Sequence, residues 1–218
     1  MLRKKGARWG ISTLVFGLIA LAAGPAMPAA AAPATAYSGQ ATVIQTTVLG
    51  TSVTLADTGP LPQEGGALNA TLLTASVPGL LTANVLHAAT VGQGDMGQGD
   101  SSGAEASVAD LDLTVGGNHI TADFLRSSAK AQCNGAKASV SGSSEIVGLT
   151  INGQSVSVTG EPNQTIALPN GKVVINEQDT STAGSITVNA LHVVVDSIAN
   201  VVVSSAHADI VCHQPSCA

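Results

Sequence analysis

The sequence has very few aromatic residues. It contains one Trp, one Tyr and two Phe. Because Trp9 and Phe16 lie in the first 32 residues, Tyr37 and Phe124 are the only rings that follow. Proteins that bind single-stranded nucleic acid stack bases on aromatic side chains, and sugar-cleaving clefts commonly use rings as platforms. The shortage argues against both classes, and it requires a core built from Val, Leu, Ile and Ala.

Basic residues are also scarce beyond the N-terminus. Four of the eight Lys and Arg residues lie before residue 9, whereas all 14 Asp and Glu residues lie after residue 56. The chain from residue 33 onward therefore has a formal charge of −10. Phosphate backbones and anionic lipid heads repel a surface of this charge that has no basic cluster. We therefore expect no nucleic-acid partner.

The N-terminus has the layout of a secretory signal peptide over residues 1–32. The layout comprises a basic segment (Arg3, Lys4, Lys5, Arg8), an apolar segment (Ile11–Ala23) and a small-residue segment (Pro25–Ala32). The apolar segment is shorter than the roughly 20 residues that span a bilayer. We expect a cleaved signal, and an uncleaved membrane anchor is the alternative. Ala29 and Ala31 are the small residues that a signal peptidase accepts, and Ala34-Thr35-Ala36 is a second candidate site.

The remaining chain, residues 33–218, is long enough for one domain with a sizeable core. Its apolar stretches near Val193 and Val201 are interrupted by Asp196 and Asn200, which favours strands over a membrane-spanning helix. We therefore expect a secreted or extracellular domain, with association to the cell surface as an option, and no transmembrane segment in the mature chain.

Alternating apolar and polar residues, β-branched side chains and turn residues predict an all-β domain. Turns are predicted at Gly50, Pro78-Gly79, Gly116-Gly117, Asn152-Gly153 and Pro169-Asn170-Gly171. Asn-Gly between apolar runs is the strongest short hairpin signal. Clear hairpins favour an antiparallel β-sandwich, whereas small-residue strands and a recurring motif keep a β-helix as the alternative.

A Gly-rich segment at residues 92–104 predicts a flexible loop, because it has no apolar periodicity. Asp95 and Asp100 within it suggest a calcium site. However, the segment lacks the dense alternating oxygen ligands and the terminal Glu of an EF-hand. Asp110 and Asp112 share one strand face, which is typical of a solvated surface. We therefore predict a solvated loop and no metal site here.

A short motif recurs three times, at residues 82–87, 121–126 and 187–192. Its last position is His87, Arg126 and His192 in the three copies. If the three strands were neighbours, these side chains would converge at one end of a sheet as a speculative ligand site. Solvent-facing strand ends are the alternative. The five histidines show no HxH or HExxH spacing, so no metal centre and no cofactor is predicted.

The chain has three cysteines, which in an exported protein indicate one disulfide and one remaining thiol. Cys133 and Cys212 each follow an SSAxA segment, at residues 127–131 and 204–208, so similar strands would bring them together. Cys212 with Cys217 is the alternative pairing, which would close a small terminal loop.

No catalytic residues can be assigned from motifs. The chain has no G-x-S-x-G elbow, no P-loop and no dinucleotide fingerprint followed by a helix. Any Ser/His/Asp triad would be an arbitrary choice among many serines. We therefore predict a protein that is not an enzyme, with a secreted hydrolase as a minor alternative.

Four segments in order resemble one known family. They are SSAKAQC, SSEIVGLTINGQSVSV, ITVNALHVVV and SSAHADIVC, which extend the resemblance from about Tyr37 to Cys212. On these segments the chain is similar to the choice-of-anchor P family of bacterial proteins. The resemblance implies an exported or surface protein without known catalytic residues. Only six residues follow Cys212, which departs from the anchored pattern and favours free secretion.

These observations together predict a secreted or cell-envelope-associated, non-enzymatic structural or interaction protein. Its expected partners are proteins or glycans of the cell envelope or the extracellular medium. A small-ligand or calcium-binding module is the alternative, and it would use the 92–104 loop or the set of His87, Arg126 and His192.

Overall fold

The structure is a computed structural model that describes residues 36–94 and 99–213, in which every regular element is a β-strand. The strands are β1 (Ala36–Val48), β2 (Thr51–Asp57), β3 (Gly66–Val77), β4 (Leu81–Gln93), β5 (Ser101–Val115), β6 (Asn118–Asn134), β7 (Lys137–Val147), β8 (Thr150–Ile151), β9 (Gln154–Ser155), β10 (Gln164–Leu168), β11 (Gly171–Asp179), β12 (Ser185–Val195) and β13 (Ala199–Val211). The predicted signal peptide, residues 1–32, lies outside the described residues.

The strands form two sheets that pack together as a β-sandwich. The first sheet has the order β10-β11-β12-β13-β1-β2. The second has the order β3-β4-β5-β6-β8-β9, and β7 also pairs with β6. Every strand pair is antiparallel. The predicted antiparallel sandwich is confirmed. The β-helix alternative is wrong for the described residues, because a β-helix stacks parallel strands.

The turns lie where Gly, Pro and Asn predict them. Leu49-Gly50 joins β1 to β2, Gly116-Gly117 joins β5 to β6, and Asn152-Gly153 joins β8 to β9. Asn152 and Gly153 have φ values of 50° and 76°. Positive φ at both central residues is the geometry of the two-residue hairpin turn for which Asn-Gly is selected.

The Gly-rich loop is shorter than predicted. β4 extends to Gln93 and β5 begins at Ser101, so residues 94–100 connect the two strands. Residues 95–98, including Asp95 of the calcium hypothesis, lie outside the described part. Ser102 and Ala104 face inward, with 0% and 5% exposure. Their small side chains occupy inner positions, which is why a Ser- and Gly-rich segment forms a strand here.

The core between the sheets consists of aliphatic side chains at alternate strand positions. Leu86, Leu125 and Leu191, from β4, β6 and β12, are fully buried. Tyr37 contributes the one aromatic ring of the described core. Alanines such as Ala106 are also fully buried, so the sheets approach closely without large rings between them.

The two SSAxA segments meet inside the sandwich. Ser127 on β6 and Ser204 on β13 are both fully buried. The Ser204 hydroxyl donates to the carbonyl oxygen of Ala106 at 2.7 Å, and its oxygen lies 3.1 Å from Ser127 Oγ. The repeated segment therefore places a hydrogen-bonded contact between the sheets, where an unpaired hydroxyl would be unfavourable.

A line of irregular positions crosses each sheet. In the first sheet, Asn176, Ser204 and Ala56 have φ values of 50°, 59° and 51°, and the strand register skips all three. In the second sheet, Val85 and Asp110 have φ values of 48° and 49° and are skipped in the same way. Between most strand pairs the register is the same on both sides of the skipped position, so each skipped residue lies opposite a skipped residue of the neighbouring strand and neither strand has an extra residue. Between β4 and β5 the register shifts, as at a β-bulge. The alternation of inward and outward side chains changes phase along this line, as the consecutive buried residues Val203 and Ser204 show.

The recurring motif marks this line of irregular positions. Its third or fourth position is skipped by the register in each copy, at Val85 of β4, Asp123 of β6 and Ala190 of β12. The similarity of the three copies therefore reflects a shared backbone irregularity. It does not require that the strands be neighbours.

Candidate binding face

The outer face of the second sheet brings two of the three predicted ligand residues into one row. The register aligns Thr71, His87, Ser107, Arg126 and Glu145 across β3 to β7. The His87 Nδ1 atom lies 3.2 Å from the Thr71 hydroxyl. Arg126 Nε lies 3.8 Å from Glu145 Oε2, and both side chains are largely exposed. His87 and Arg126 thus flank Ser107 on one solvent-facing surface.

His192 lies elsewhere, so the predicted convergence of three residues is wrong. It is on β12, in the first sheet, whereas His87 and Arg126 are in the second sheet. Its Nδ1 lies 2.8 Å from Glu177 Oε2 and its Nε2 lies 3.0 Å from Asn200 Oδ1. The three copies of the motif share a position that the strand register skips. Equivalent motif positions therefore occur in different sheets.

A shallow groove of about 550 Å³ adjoins the row of His87 on the outer face of the second sheet. Its floor consists of small side chains from four neighbouring strands, namely Ala67, Ala89, Gly103 and Ser128. A Cβ atom built on Gly103 would meet nothing closer than Val91 Cγ1 at 3.6 Å. The groove is therefore open above Gly103, and a larger side chain there would project into it.

Charges of both signs lie at the groove. Glu105 on β5 and Lys130 on β6 both line it, and His87 lines it from β4. Lys130 and Arg126 are two of the four basic residues that follow residue 32. This face therefore carries half of those basic residues in an otherwise acidic chain.

Exposed apolar side chains also concentrate on this sheet. Val91, Val85 and Val147 are 41%, 57% and 47% exposed, and Leu73 is 77% exposed. Phe124, half-buried, lies between Ala109 and Val147 in the register. Leu73 and Val85 lie opposite each other, whereas Val91 lies farther along β4 and lines the groove. Exposed apolar groups that adjoin one another mark an interaction surface more often than single exposed residues do.

The outer face of the first sheet is polar, and its side chains are paired with one another. Gln40 Nε2 donates to both carboxylate oxygens of Asp57, at 2.8 and 2.9 Å. Asn189 Nδ2 donates to Glu177 Oε2 at 2.7 Å. These polar groups already have partners, so a ligand would have to displace existing hydrogen bonds.

A second, polar depression of about 400 Å³ lies at the edge of that face. It is lined by Asn163, Glu177, Gln178, Asp179, Thr187 and Asn189. The backbone N–H of Ser181 donates to Asp179 Oδ1 at 2.9 Å, and hydrogen bonds from Ser181 hold the pKa of Asp179 below its usual value. Asp179 therefore stays ionised to lower pH than a free Asp.

Of the two carboxylates in the calcium hypothesis, Asp95 lies outside the described residues, and Asp100 is fully buried directly before β5. Asp110 and Asp112, the pair predicted on one strand face, belong to β5. Asp112 lies 3.0 Å from His119 Nε2 in an exposed pair, and Asp110 occupies a bulge. Within residues 36–94 and 99–213, no three His, Cys, Asp or Glu side chains are grouped as metal ligands would be. In the same ranges, hydrogen-bonded histidines contact threonine, acidic or Asn side chains.

Cys133 and Cys212 form a disulfide, with a Cα–Cα distance of 5.6 Å. This is the long-range pair that the SSAxA segments favour. It joins the end of β6 in the second sheet to the residue after β13 in the first. Cys217, of the alternative pairing, lies outside the described residues.

The sequence alone does not indicate the groove or the contribution of β7. Glu145, which faces Arg126, lies on a Ser-rich strand that was not predicted. In the sequence the floor residues Ala89, Gly103 and Ser128 are only small residues at outward positions of long strands, a pattern that is common on ordinary surfaces. Only the strand order shows that these positions are adjacent.

The described residues include no helix with the length and apolar character needed to cross a bilayer. Comparison with models of protein families, with curated proteins and with solved structures finds no match to this chain. Its role therefore has to be inferred from its own geometry and chemistry.

Proposed function

We propose that this chain is an extracellular, non-enzymatic interaction protein that binds its partner on the outer face of the second sheet. The observation that carries the proposal is the open groove floored by Ala89, Gly103 and Ser128, which the exposed side chain of Val91 also lines. Concave apolar sites with a few polar groups are the usual form of a binding site. The polar, internally paired face of the first sheet offers no comparable surface.

The partner class that fits the groove best is an extended segment of a cell-envelope or extracellular protein. The small floor side chains allow a polypeptide backbone to approach closely. Glu105 and Lys130 offer charges of both signs to a segment that carries both, while Val91 offers apolar contact. A glycan would favour an exposed aromatic platform, and the two rings of the described residues are buried or half-buried.

Export is part of the same proposal. Disulfides persist in oxidising compartments, so the bond between Cys133 and Cys212 supports a site of action outside the cytoplasm. The signal-like residues 1–32 and the resemblance to the choice-of-anchor P family agree with this. The acidic charge of the mature chain is compatible with a secreted protein of that kind.

The substitution Gly103→Arg is expected to reduce partner binding about tenfold or more. A long charged side chain at this position fills the groove, and it would have to move aside before a segment could bind. Binding is measured by co-sedimentation of the mature protein with cell envelope from the producing bacterium, and by cross-linking to proteins of its culture medium. Protease treatment of the envelope is expected to abolish binding, and periodate treatment to preserve it.

The matched control is Gln45→Arg, an exposed position at mid-strand on the outer face of the first sheet. It is expected to bind as the unmodified protein does. Equal binding by the Gly103→Arg protein would show that the groove is not the site. Binding lost on periodate treatment alone would identify a glycan partner instead, and no binding to envelope or medium proteins would contradict an interaction role.

Export predicts a definite mass for the native protein. We expect a chain that begins near Ala32 or Tyr37 and is lighter by about two hydrogens before reduction than after it, because one disulfide is closed. Intact-mass spectrometry of protein from culture medium and from envelope measures both properties. A chain that retains residues 1–32 and stays in the cytoplasm would refute export.

A further inference from the structure

The hairpin of β3 and β4 is free of charge. From Gly66 to Gln93 the sequence contains no Asp, Glu, Lys or Arg, although the chain from residue 33 onward has a formal charge of −10. Two copies of such an acidic protein repel each other over most approaches. The repulsion is smallest where the contacting surfaces carry no charge, and this hairpin supplies such a surface at one end of the second sheet.

β3 is an edge strand, and it lacks the features that normally protect an edge. It pairs only with β4 among the described strands, so alternate residues direct N–H and C=O groups away from the sheet. Natural edges are protected by charged residues, Pro, short length or cover. β3 has 12 residues with neither charge nor Pro, and of these only Ala75 is buried.

The other edges of the described sheets do carry such protection. β7 bears Lys137 and Glu145, and β2 ends in Asp57. β10 has five residues and β9 has two. β3 is thus the long unprotected edge of the described strands.

Exposed apolar side chains accompany this edge. Leu72 and Leu73 of β3 are 38% and 77% exposed, and Val85 of β4 is 57% exposed. The register of β3 and β4 skips Leu73 and Val85 at the same point, so the two residues are opposite each other. A strand added beside β3 would cover Leu72 and Leu73 and pair the free backbone groups.

We propose that β3 pairs antiparallel with β3 of a second copy of this chain, which joins two second sheets into one continuous sheet. Antiparallel pairing of identical strands gives a closed two-fold dimer. Paired residues of one continuous sheet point to the same side, so each residue at the axis pairs with its own equivalent in the other copy. Nearly complete overlap of the 12-residue strand then places the two-fold axis at Thr71 or Leu72. We assign a second copy of this chain as the partner of β3 for two reasons. Its own β3 can pair with the outward backbone groups, and it brings no charge to the contact.

The test uses the mature chain with Cys217→Ser, so that a disulfide between copies cannot form. Sedimentation equilibrium over roughly 10–500 µM is expected to show a monomer–dimer equilibrium, as suits an interface at the small end of specific contact areas. Raising the salt from 0.05 to about 0.5 M is expected to tighten association, because it screens repulsion between acidic copies. Amide hydrogen exchange is expected to slow in β3 as protein concentration rises.

Thr71→Lys and Thr71→Asp are each expected to weaken association roughly fivefold or more, since like charges then meet near the two-fold axis. Ser141→Lys, on the opposite edge strand β7, is the control and is expected to dimerise normally. Leu73→Lys, at an exposed position, replaces either Thr71 variant if its circular dichroism shows misfolding. The groove variant Gly103→Arg is expected to dimerise, so this inference and the proposed function fail separately.

A chain that stays monomeric over this concentration range overturns the proposal. So does a dimer whose β3 amides exchange as fast as in the monomer, or a dimer that tolerates both charges at Thr71. Association weakened by salt would point to attraction between charged surfaces, which also overturns it.

Discussion

The protein with Cys133→Ala and Cys212→Ala is expected to lose about 4–5 kcal/mol of unfolding free energy, because the disulfide closes a loop of 79 residues in the unfolded chain. Small domains have a total unfolding free energy of about 5–15 kcal/mol. The loss would therefore leave a domain that is folded only marginally at 25 °C. Urea denaturation followed by far-UV circular dichroism measures the difference.

The control for this experiment is Cys217→Ser. If Cys133 pairs with Cys212, removal of Cys217 is expected to leave the urea midpoint unchanged. If the alternative pair of Cys212 and Cys217 formed instead, this variant would be destabilised and Cys133→Ala alone would not be. The two variants therefore separate the two connectivities, independently of any mass measurement.

Ser204→Ala is expected to lower the unfolding free energy by about 1–3 kcal/mol, although it removes a single oxygen atom. The hydroxyl is fully buried and donates to the carbonyl oxygen of Ala106 at 2.7 Å. Its removal leaves that oxygen and the Ser127 hydroxyl, 3.1 Å away, with one fewer partner in the core. Thermal and urea unfolding of the purified variant measure the loss.

Ser205→Ala is the matched control, because the neighbouring serine is half-buried on the outer surface and its hydroxyl has no hydrogen bond to another described residue. It is expected to change the unfolding free energy by less than about 0.5 kcal/mol. The double variant of Ser127 and Ser204 is expected to lose less than the sum of the single variants, since the two hydroxyls are in contact. Strictly additive losses would show that the contact contributes nothing.

The sequence predicts the fold class well because local signals suffice for it. Asn152-Gly153 defines a hairpin by its turn geometry, and Gly116-Gly117 and Pro78-Gly79 separate long alternating runs in the same way. Alternation shows which residues of a strand face inward. Antiparallel strands joined by tight turns then leave a sandwich as the simplest arrangement.

The arrangement of strands in the sheets is not a local property, and here prediction failed. β12 and β4 carry the same motif but belong to different sheets. The sequence does not predict β7 as a strand, because its Ser and Gly residues are not typical of strands. The structure shows why they are used. Gly142 lies where an added Cβ would be 2.3 Å from Val188 Cγ2, so only a residue without a side chain fits between the sheets.

The candidate site was predictable only in part. The motif predicts a site that includes His87 and Arg126, and these two residues do share a row on one face. The groove beside them depends on Ala89, Gly103 and Ser128, which carry no chemical signal. Small residues at outward positions look like ordinary surface residues until the register places them side by side.

The alignment of the two ends of the domain has a mechanical consequence. Ala36 pairs with Val211, so the chain enters β1 and leaves β13 at the same end of two adjacent strands. Tension applied between these points would load the hydrogen bonds of the pair one after another, as in a zipper, and not together in shear. The disulfide alters the path of the load, because force arriving at Cys212 passes directly to Cys133 in the other sheet. Resistance to pulling in this domain therefore depends on the cross-link more than on the strand pair at its ends.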